Sequence, residues 1–341
     1  MRLTSRLRFL ADQFRRMPSP EDANQALDVL YGSADYLRFY EDHLREGLYP
    51  SDLKLLARGH LAAGQHLLDV GCGTGREAQG FRQQGLRVTA VDSTPAMVER
   101  ARELARGTDI VFSVAGLTRL NFPARRFDAA YLSSNIYAET PGRDRRVAAL
   151  EQFCRLLRPG GRVIFSVSIK PAHSWKVRFL VDFPLSLLRL AWPERILEVG
   201  DRFFRSAPGV PPILVHIFGD ADEVEQEIVD AGLVLIDHIG DDFVARTPGG
   251  DQRYRFRAEV QTAPVGADLL VADLRRGVSW RLNHTARALW SRLAEGATLT
   301  EAASGLARGL GTTPERLEAD AAALAADLIR KRLVEPRPGS P

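Results

Sequence analysis

The chain has 341 residues, 45% of them hydrophobic and 26% charged, and its formal net charge is +3. These values are ordinary for a globular protein of about two domains, and a charge so close to zero gives a weak electrostatic case for nucleic-acid binding. The two cysteines, Cys72 and Cys154, form neither a disulfide framework nor a metal-ligand motif, which fits a reducing cytoplasm. No stretch predicts a transmembrane helix, because the most apolar one (179–192) contains two charged residues and a proline. The N-terminus lacks the long apolar core and the cleavage site of a signal peptide.

Residues 1–60 carry helical patterns and are predicted to form an N-terminal helical lid. Residues 2–16 place an apolar stripe between arginines, typical of a helix that packs on its own domain, on a second copy in a homodimer, or on a membrane surface. Tyr36 and Tyr40 lie on a further helix predicted at 34–46. Aromatic residues at this spacing usually pack together, and these two are also candidate substrate contacts.

Between residues 61 and 247, short apolar strands alternate with amphipathic helices. This alternation is typical of an α/β domain with a parallel, doubly wound, Rossmann-like sheet. The last two strands are expected to form a hairpin through Gly240 and Asp241. The seven predicted strands are residues 67–70, 86–91, 110–114, 128–133, 162–168, 233–239 and 243–246.

A long segment, 171–212, interrupts this alternation and is rich in aromatic residues and arginines. Its position between late strands predicts that it lies over the carboxyl ends of the sheet. Two roles stay open. The segment is either a cap that contacts the substrate, with His173 and Trp175 as candidate contacts, or a helical hairpin that extends the core.

The first strand runs directly into a glycine loop, LLDVGCGTG at residues 67–75. Gly71, Gly73 and Gly75 let the backbone approach a ligand closely at the carboxyl end of a strand, where nucleotide-like ligands bind. Dinucleotide sites use G-x-G-x-x-G, and this spacing differs. Asp69, before the loop, suits a cationic ligand end, and Asp92, after the second strand, can accept hydrogen bonds from a ribose diol. The loop therefore predicts a nucleoside with an ammonium or sulfonium end.

Four motifs follow one another in the order found in class I S-adenosylmethionine-dependent methyltransferases, which the chain resembles over about residues 30–246. They are Asp69-Val70-Gly71-Cys72-Gly73-Thr74-Gly75, Val91-Asp92, Phe127-Asp128-Ala129-Ala130 and Leu157-Arg158-Pro159-Gly160-Gly161. The resemblance implies S-adenosyl-L-methionine as cofactor and S-adenosyl-L-homocysteine as product.

By the same resemblance, the glycines contact the methionine part and the ribose, Asp69 orients the amino end through the loop, and Asp92 binds the ribose diol. Many family members have an acid at the position of Ala115, so backbone groups are expected to bind the adenine here. The implied cofactor contacts are Asp69, Gly71, Cys72, Gly73, Gly75, Asp92, Ser93, Met97, Ala115, Gly116, Leu117, Ser133 and Ser134.

In this family the residues after the fourth strand face the transferred methyl group, which makes Asn135, Tyr137 and Glu139 the candidate catalytic residues. Methyl transfer is a direct displacement, so alignment of donor and acceptor matters most, and a base is needed only for a protonated acceptor. Tyr137 or Glu139 would orient an amine or deprotonate a hydroxyl. Amine, carboxylate, hydroxyl and imidazole acceptors stay open, and no metal site is predicted.

Residues 248–256 predict a linker, and 257–335 predict a second, smaller α+β domain. Apolar runs at 269–274 and 278–282 indicate a hairpin, and three capped helices follow it. A hairpin with three helices is a winged-helix-like arrangement. The tail, 336–341, is expected to be disordered.

The second domain resembles the PqqD-like family over about residues 258–335, through a short series of landmarks that come in order. These include Leu282-Asn283-His284-Thr285-Ala286, Leu289-Trp290 and Gly296. Family members are peptide-binding domains that recognise ribosomally made precursor peptides. The resemblance implies that a leader peptide adds a strand to the hairpin edge, and Arg275, Arg276 and Arg332 are candidate contacts for it.

Three other functions fit parts of the sequence. The second domain could be a DNA-binding module, but the third predicted helix has no basic face. It could instead serve only dimerisation in a small-molecule methyltransferase. In a non-enzymatic alternative, the first domain senses the cofactor while the second binds a partner.

Overall fold

The computed structural model describes residues 27–133, 135–169, 198, 200–204 and 213–337. The predictions for the basic helix at 2–16, for Ser134, for His173 and Trp175 in the insertion, and for residues 338–341 of the tail lie outside these residues. In the part of the chain that is described, no helix is long and apolar enough to span a bilayer.

The first domain is built on a central sheet, as the alternating pattern predicts. Its described strands are β1 (His66–Val70), β2 (Arg87–Asp92), β3 (Val111–Val114), β4 (Phe127–Leu132), β5 (Leu157–Ser166), β6 (Ser168–Ile169), β7 (Asp201–Phe204), β8 (Ile213–Phe218), β9 (Val234–Ile239) and β10 (Asp242–Arg246). Seven of them form one sheet in the order β3-β2-β1-β4-β5-β10-β9. Strands β1 to β5 pair in parallel, and β10 pairs antiparallel with both β5 and β9, which confirms the predicted hairpin.

Both faces of this sheet are buried. Leu67 and Leu68 are adjacent in β1 and point to opposite sides, so each enters a different apolar cluster, and neither is exposed. A parallel strand covered on both faces needs a continuous apolar run, which is what residues 67–70 supply apart from Asp69. The buried carboxyl group of Asp69 is therefore an exception that calls for a functional reason.

Helices cover the two faces and the cleft side. They are α1 (Ala34–Leu44), α2 (Pro50–Arg58), α3 (Arg76–Gln83), α4 (Pro95–Leu104), α5 (Arg143–Leu156) and α6 (Ala221–Asp230). Residues 27–31 are also helical. The ends agree with local chemistry: the Ser33 side chain accepts from the Tyr36 N–H at the start of α1, and Pro95 occupies the first turn of α4. Strand β7, which lies within the predicted insertion, pairs antiparallel with β8 in a small sheet of order β6-β8-β7.

The second domain contains more strands than the sequence predicts. Its elements are β11 (Tyr254–Phe256), β12 (Val260–Val265), β13 (Asp268–Asp273), β14 (Val278–Leu282), α7 (His284–Ala294), α8 (Leu299–Leu306), α9 (Pro314–Arg330) and β15 (Val334–Pro336). The predicted hairpin is β13–β14, and β12 extends it to a three-stranded sheet. Strand β11, inside the predicted linker, pairs with β15, so Pro336 belongs to a strand rather than to a disordered tail.

The second domain packs at the end of the large sheet where the parallel strands begin. Arg330 of α9 forms an ion pair with Glu151 near the end of α5, at 2.6 Å. Gly232, just before β9, lies so close to α9 that a Cβ atom there would be 2.7 Å from the carbonyl oxygen of Ala326. The glycine loop follows the carboxyl end of β1, so the loop and the second domain lie at opposite ends of the parallel strands.

Candidate cofactor and acceptor site

The glycine loop has a backbone that favours glycine at each predicted position. Gly71, Gly73 and Gly75 have φ angles of 79°, 51° and 89°. A Cβ atom on Gly71 would lie 2.2 Å from Cδ1 of Ile136, so alanine would require the Ile136 side chain to shift as well as a strained backbone. The Gly71 N–H donates to the Val91 carbonyl at 2.7 Å, which ties the loop to β2. The three glycines give the loop a fixed shape that lets a ligand approach its backbone.

Asp92 supports this loop from the end of β2. Its Oδ2 accepts from the Gly73 N–H at 2.9 Å, and its Oδ1 accepts from the Thr94 N–H at 2.9 Å. Burial raises the pKa of this carboxyl group, and the two backbone N–H donors oppose that shift. These two hydrogen bonds fix the orientation of the carboxylate, and each of its oxygens keeps a lone pair that can accept a hydrogen bond from a ligand. This arrangement fits the predicted contact with both hydroxyls of a ribose.

Asp69 lies beneath the loop rather than in the cleft. It is fully buried, Ser133 Oγ donates to its Oδ1 at 3.1 Å, and its Oδ2 has no hydrogen-bond partner. Burial, with the nearby Glu77 carboxylate, raises the pKa of Asp69 well above its ordinary value. A buried carboxylate oxygen without a donor is costly, and a cationic group above the loop would offset the cost. The residues present therefore fit the ammonium end of S-adenosylmethionine.

A cavity of about 480 Å³ opens above the loop. The predicted residues that line it are Tyr40, Gly71, Cys72, Gly73, Asp92, Ser93, Met97, Ala115, Gly116, Leu117, Ser133 and Glu139. Gly75 does not line it and instead caps the N-terminus of α3. Tyr36 is also outside the lining and packs against Tyr31 and Tyr40.

Two of the three candidate catalytic residues point away from this cavity. Tyr137 is completely buried, donates its hydroxyl hydrogen to Glu227, and stacks on Phe218 at 6.1 Å between ring centroids. Asn135 is outside the lining, and its Oδ1 accepts from Ser168 Oγ at 3.4 Å. Their positions give no support to a direct catalytic role. Tyr137 instead belongs to the packing between the sheet and α6.

Glu139 does line the cavity, and its partner comes from the lid. Tyr31 donates its hydroxyl hydrogen to Glu139 Oε1 at 3.1 Å. Burial raises the pKa of Glu139 to about 7, which the Tyr31 hydrogen bond opposes and the Asp92 charge reinforces. Sequence reasoning missed Tyr31, and its place among the aromatic residues of the lid is the one signal that points to it. The two residues are 108 positions apart in the chain.

The lid also holds an arginine of the first domain in place. Arg76, at the start of α3, donates to Asp52 at 3.1 Å and to the Gly47 carbonyl at 2.7 Å, and it pairs with Glu77. Its guanidinium lies 3.9 Å from the centroid of the Tyr49 ring. Arg76 stands where a dinucleotide site would have a third glycine, and here it fixes the lid to the loop.

A buried charge network joins two described residues of the insertion, Glu198 and Asp201, to the first domain. Arg146 pairs with Glu227 at 2.6 Å and with Glu198 at 2.7 Å, and His216 contacts Asp201 at 2.8 Å. Although burial lowers the pKa of His216, its hydrogen bonds to carboxylates raise it overall. Glu198, Asp201 and His216 are close enough to hold a metal ion, but the hydrogen bonds already satisfy these groups. We assign the network a structural role.

The basic residues predicted to contact a leader peptide have separate positions. Arg332 lies between the domains: it pairs with Asp230 at 2.8 Å and donates to Gln226 at 2.6 Å. Arg332 is thus engaged with the first domain, and its contact with a peptide stays a prediction. Arg276 donates to the Lys331 carbonyl at 2.7 Å, and Arg275 is highly exposed, paired with Glu259 at 3.2 Å.

Strand β14 is an outer strand of the three-stranded sheet, and β12 is the other. Pro264 interrupts β12, which has no N–H there to offer to an added strand. Strand β14 contains no proline and carries Trp280, whose ring centroid lies 5.8 Å from the Lys331 ammonium group just after α9. The open edge next to the third helix is thus β14.

Two family profiles match the chain, one described as a methyltransferase domain over residues 67–161 and one as coenzyme PQQ synthesis protein D (PqqD) over residues 268–334. An O-methyltransferase resE of Aspergillus sclerotiorum is 34% identical over 34% of this chain and 45% of its own length. A malonyl-(acyl-carrier protein) O-methyltransferase of Serratia marcescens is 33% identical over 33% of this chain and 42% of its own. The chain thus spans less than half the length of these two relatives.

A third relative is matched over more of its length. The 27-O-demethylrifamycin SV methyltransferase of Amycolatopsis mediterranei is 30% identical over 215 residues, which are 61% of this chain and 69% of that protein. The chain therefore belongs to the S-adenosylmethionine-dependent methyltransferases and carries a PqqD domain after its methyltransferase domain.

Proposed function

We propose that this protein transfers a methyl group from S-adenosylmethionine to a ribosomally synthesised precursor peptide whose leader segment binds to the PqqD domain. The observation that carries the proposal is the presence, in one chain, of a cofactor cleft and a PqqD domain with an open β14 edge. The proposed reaction takes place in the cleft at the carboxyl ends of the parallel strands. The proposed recognition takes place in the second domain, which packs at their amino ends.

S-adenosylmethionine supplies a methyl group that its sulfonium already activates. The chain's own part is to bind, orient and exclude water. Asp92 and the glycine loop would hold the ribose, while Asp69 and Glu77 supply negative charge near the amino end. Ile136 and Glu139 would face the acceptor, and Tyr31 and Tyr40 of the lid would close the cleft over it.

The leader is proposed to add a strand to β14. An added strand gains backbone hydrogen bonds from the edge and side-chain contacts from the neighbouring groove. Trp280 and Lys331 would line that groove beside α9, and Arg276 and Arg275 at the β13–β14 turn would attract acidic residues. The proline in β12 argues against the other edge.

The separation of the two sites sets a requirement on the substrate. Strand β4 has six residues, so the sheet is roughly 20 Å long when measured along its strands. An extended chain covers about 3.3 Å per residue, so at least about six residues must separate the leader from the methylated residue. Tethering the core peptide in this way raises its effective concentration at the cleft, and weak binding there then suffices.

The proposal is tested by titrating the full-length protein with the short peptide encoded beside its gene and by mass spectrometry of the mixture with S-adenosylmethionine. We expect binding and a mass increase of one or more methyl groups. The Trp280→Ala substitution in β14 should weaken peptide binding at least about tenfold, whereas Val265→Ala in β12 should leave it unchanged. Full binding to Trp280→Ala would contradict recognition at β14.

A second candidate is a small-molecule methyltransferase whose PqqD domain serves dimerisation or binds another partner. It is favoured by the names of the relatives, such as the rifamycin methyltransferase, which is named for a small-molecule substrate. Failure of every encoded peptide to bind the full-length protein, with S-adenosylhomocysteine binding intact, would support it. A DNA-binding module is less well supported, because α9 packs its alanine-rich side on the first domain through Arg330 and Ala326.

A further inference from the structure

We propose that the acceptor of the methyl group is an amine, bound as its ammonium ion between Glu139 and the tyrosines of the lid. This inference rests on the methyl-transfer function proposed above and specifies the chemical class of the accepting atom. The sequence leaves amine, carboxylate, hydroxyl and imidazole acceptors open. Three features of the cavity separate them: its charge, the surroundings of Glu139 and the arrangement of the aromatic rings.

The lining of the cavity is acidic. Asp28, Glu77, Asp92 and Glu139 line it, and Arg76 is the one arginine or lysine among the described residues that do so. Arg76 is already committed to Glu77 and to Asp52. Anionic acceptors such as carboxylates would meet like charges here and would be repelled.

Glu139 is the carboxylate left for the acceptor. Asp92 is bonded to the loop N–H groups, and Glu77 is paired with Arg76. Asp28 is hydrogen-bonded to the Ser93 side chain. The described neighbour that bonds to Glu139 is the neutral hydroxyl of Tyr31, and no cationic side chain in the described ranges pairs with it. A largely buried carboxylate without a counter-cation favours a ligand that brings one. A neutral hydroxyl acceptor would not supply that charge, whereas a protonated amine would.

Aromatic rings of the lid lie near the same point: Tyr31 and Tyr40 line the cavity, and Tyr36 packs against both of them. The ring centroid of Tyr31 is 5.8 Å from that of Tyr36 and 6.2 Å from that of Tyr40, and Tyr36 and Tyr40 are 6.5 Å apart. A Cβ atom on Gly73 would lie 3.8 Å from Cδ1 of Tyr40, so this ring also lies against the cofactor loop. Electron-rich ring faces attract ammonium groups and prefer the methylated forms. The rings thus suit both the substrate cation and the product cation.

The step balances with the groups present. Glu139 accepts a proton from the bound ammonium ion, which frees the lone pair of the nitrogen. The lone pair forms the new N–C bond to the methyl carbon, the C–S bond breaks, and the sulfur keeps its electron pair. The products are a methylated ammonium ion and uncharged sulfur in S-adenosylhomocysteine. The positive charge therefore moves from the sulfonium to a nitrogen beside Glu139 and the tyrosine rings, which stabilise it there.

The test uses two probes of nearly equal shape, choline and 3,3-dimethylbutan-1-ol, which differ in charge. Each is titrated calorimetrically into the full-length protein saturated with S-adenosylhomocysteine, which carries no sulfonium to compete. We expect choline to bind at least about tenfold more tightly than the neutral alcohol. Glu139→Gln should reduce choline affinity by about the same factor, while Glu99→Gln, an exposed carboxylate outside the cavity, should not.

Equal binding of the two probes by the unmodified protein, or no binding of either, would overturn the inference without reference to any variant. Undiminished choline binding by Glu139→Gln would overturn the role of Glu139. The titration with S-adenosylhomocysteine alone is a separate measurement. Its failure would contradict the methyltransferase cleft itself, whereas its success with a negative choline result would contradict the amine acceptor alone.

Discussion

At the scale of single residues, Gly71 shows how the loop excludes side chains. Gly71→Ala would force a Cβ atom to 2.2 Å from Ile136 and would strain a backbone with φ of 79°. We expect a loss of S-adenosylhomocysteine affinity of at least about tenfold, measured by calorimetry. Gly107→Ala is the matched control, because its φ is 87° and no atom lies within 4 Å of the added carbon. The control should lose about 1 kcal/mol of stability and keep its affinity.

The pKa of Glu139 gives a second prediction at this scale. Burial raises it from 4.5 in the unfolded chain to about 7, while Tyr31, Tyr40 and Asp92 are the titratable groups near it. Because the folded state holds the proton more tightly, the free energy of unfolding should fall as pH rises from 5 to 8. Glu139→Gln removes this dependence, so the unmodified protein should lose roughly 2 kcal/mol more than the variant over that range. Urea unfolding of both proteins at the two pH values measures the difference, and identical slopes would contradict it.

The candidate residues whose surroundings differ from the expectation share one cause. Tyr137 and Glu139 both follow β4, and the chain alone does not tell which side chain turns toward the cleft. The turn at 135–139 directs Glu139 into the cavity and Tyr137 toward Glu227. The basic charge of Arg332 predicts a contact with an acidic peptide, and its ion pair with Asp230, 102 positions away, cannot be read from the sequence. Motif spacing predicts most of the residues that line the cavity, whereas contacts between distant segments depend on packing.

At the scale of elements, the lid depends on Asp52 of α2. This carboxylate accepts from Arg76 at 3.1 Å, from the Tyr131 hydroxyl at 3.0 Å and from the Tyr49 N–H at 2.8 Å, so it joins the lid to α3 and β4. Asp52→Ala leaves three donors without this acceptor, one buried and two partly buried, and should cost about 3 kcal/mol of stability. Amide hydrogen exchange should rise across α1 and α2, whereas Asp35→Ala, an exposed change on α1, should have little effect. Unchanged exchange in the first variant would refute this role of Asp52.

Elements with a continuous apolar run or a clear cap were predictable, and those without them were not. Strands β1, β4 and β5 contain buried apolar runs, at residues 67–68, 129–132 and 163–165, which are easily recognised in the sequence. Strand β12 was missed because it is exposed along most of its length and contains Pro264, which is unusual inside a strand. It exists because β13 offers a pairing partner, which is a tertiary effect.

At the scale of the whole molecule, the proposed function places recognition in one domain and chemistry in the other. The cofactor loop lies at the carboxyl ends of the parallel strands, and α9 packs at their amino ends beside Arg125, which is 3.9 Å from Asp320. Neither the motifs nor the domain boundaries predict this arrangement, because it depends on ion pairs between distant segments. Under the proposed function, a peptide bound to the second domain would have to pass along the outside of the first domain to reach the cleft.

The docking of the two domains can be tested by reversing the charges of one ion pair. Arg330→Glu places two carboxylates together where Arg330 now contacts Glu151 at 2.6 Å, and like charges at this distance repel each other. We expect faster hydrogen exchange on the facing sides of α9 and α5, with S-adenosylhomocysteine affinity unchanged because the cleft lies at the other edge. Adding Glu151→Arg restores opposite charges and should bring exchange back toward that of the unmodified protein. If the double variant exchanges as fast as Arg330→Glu alone, this pair does not hold the domains together.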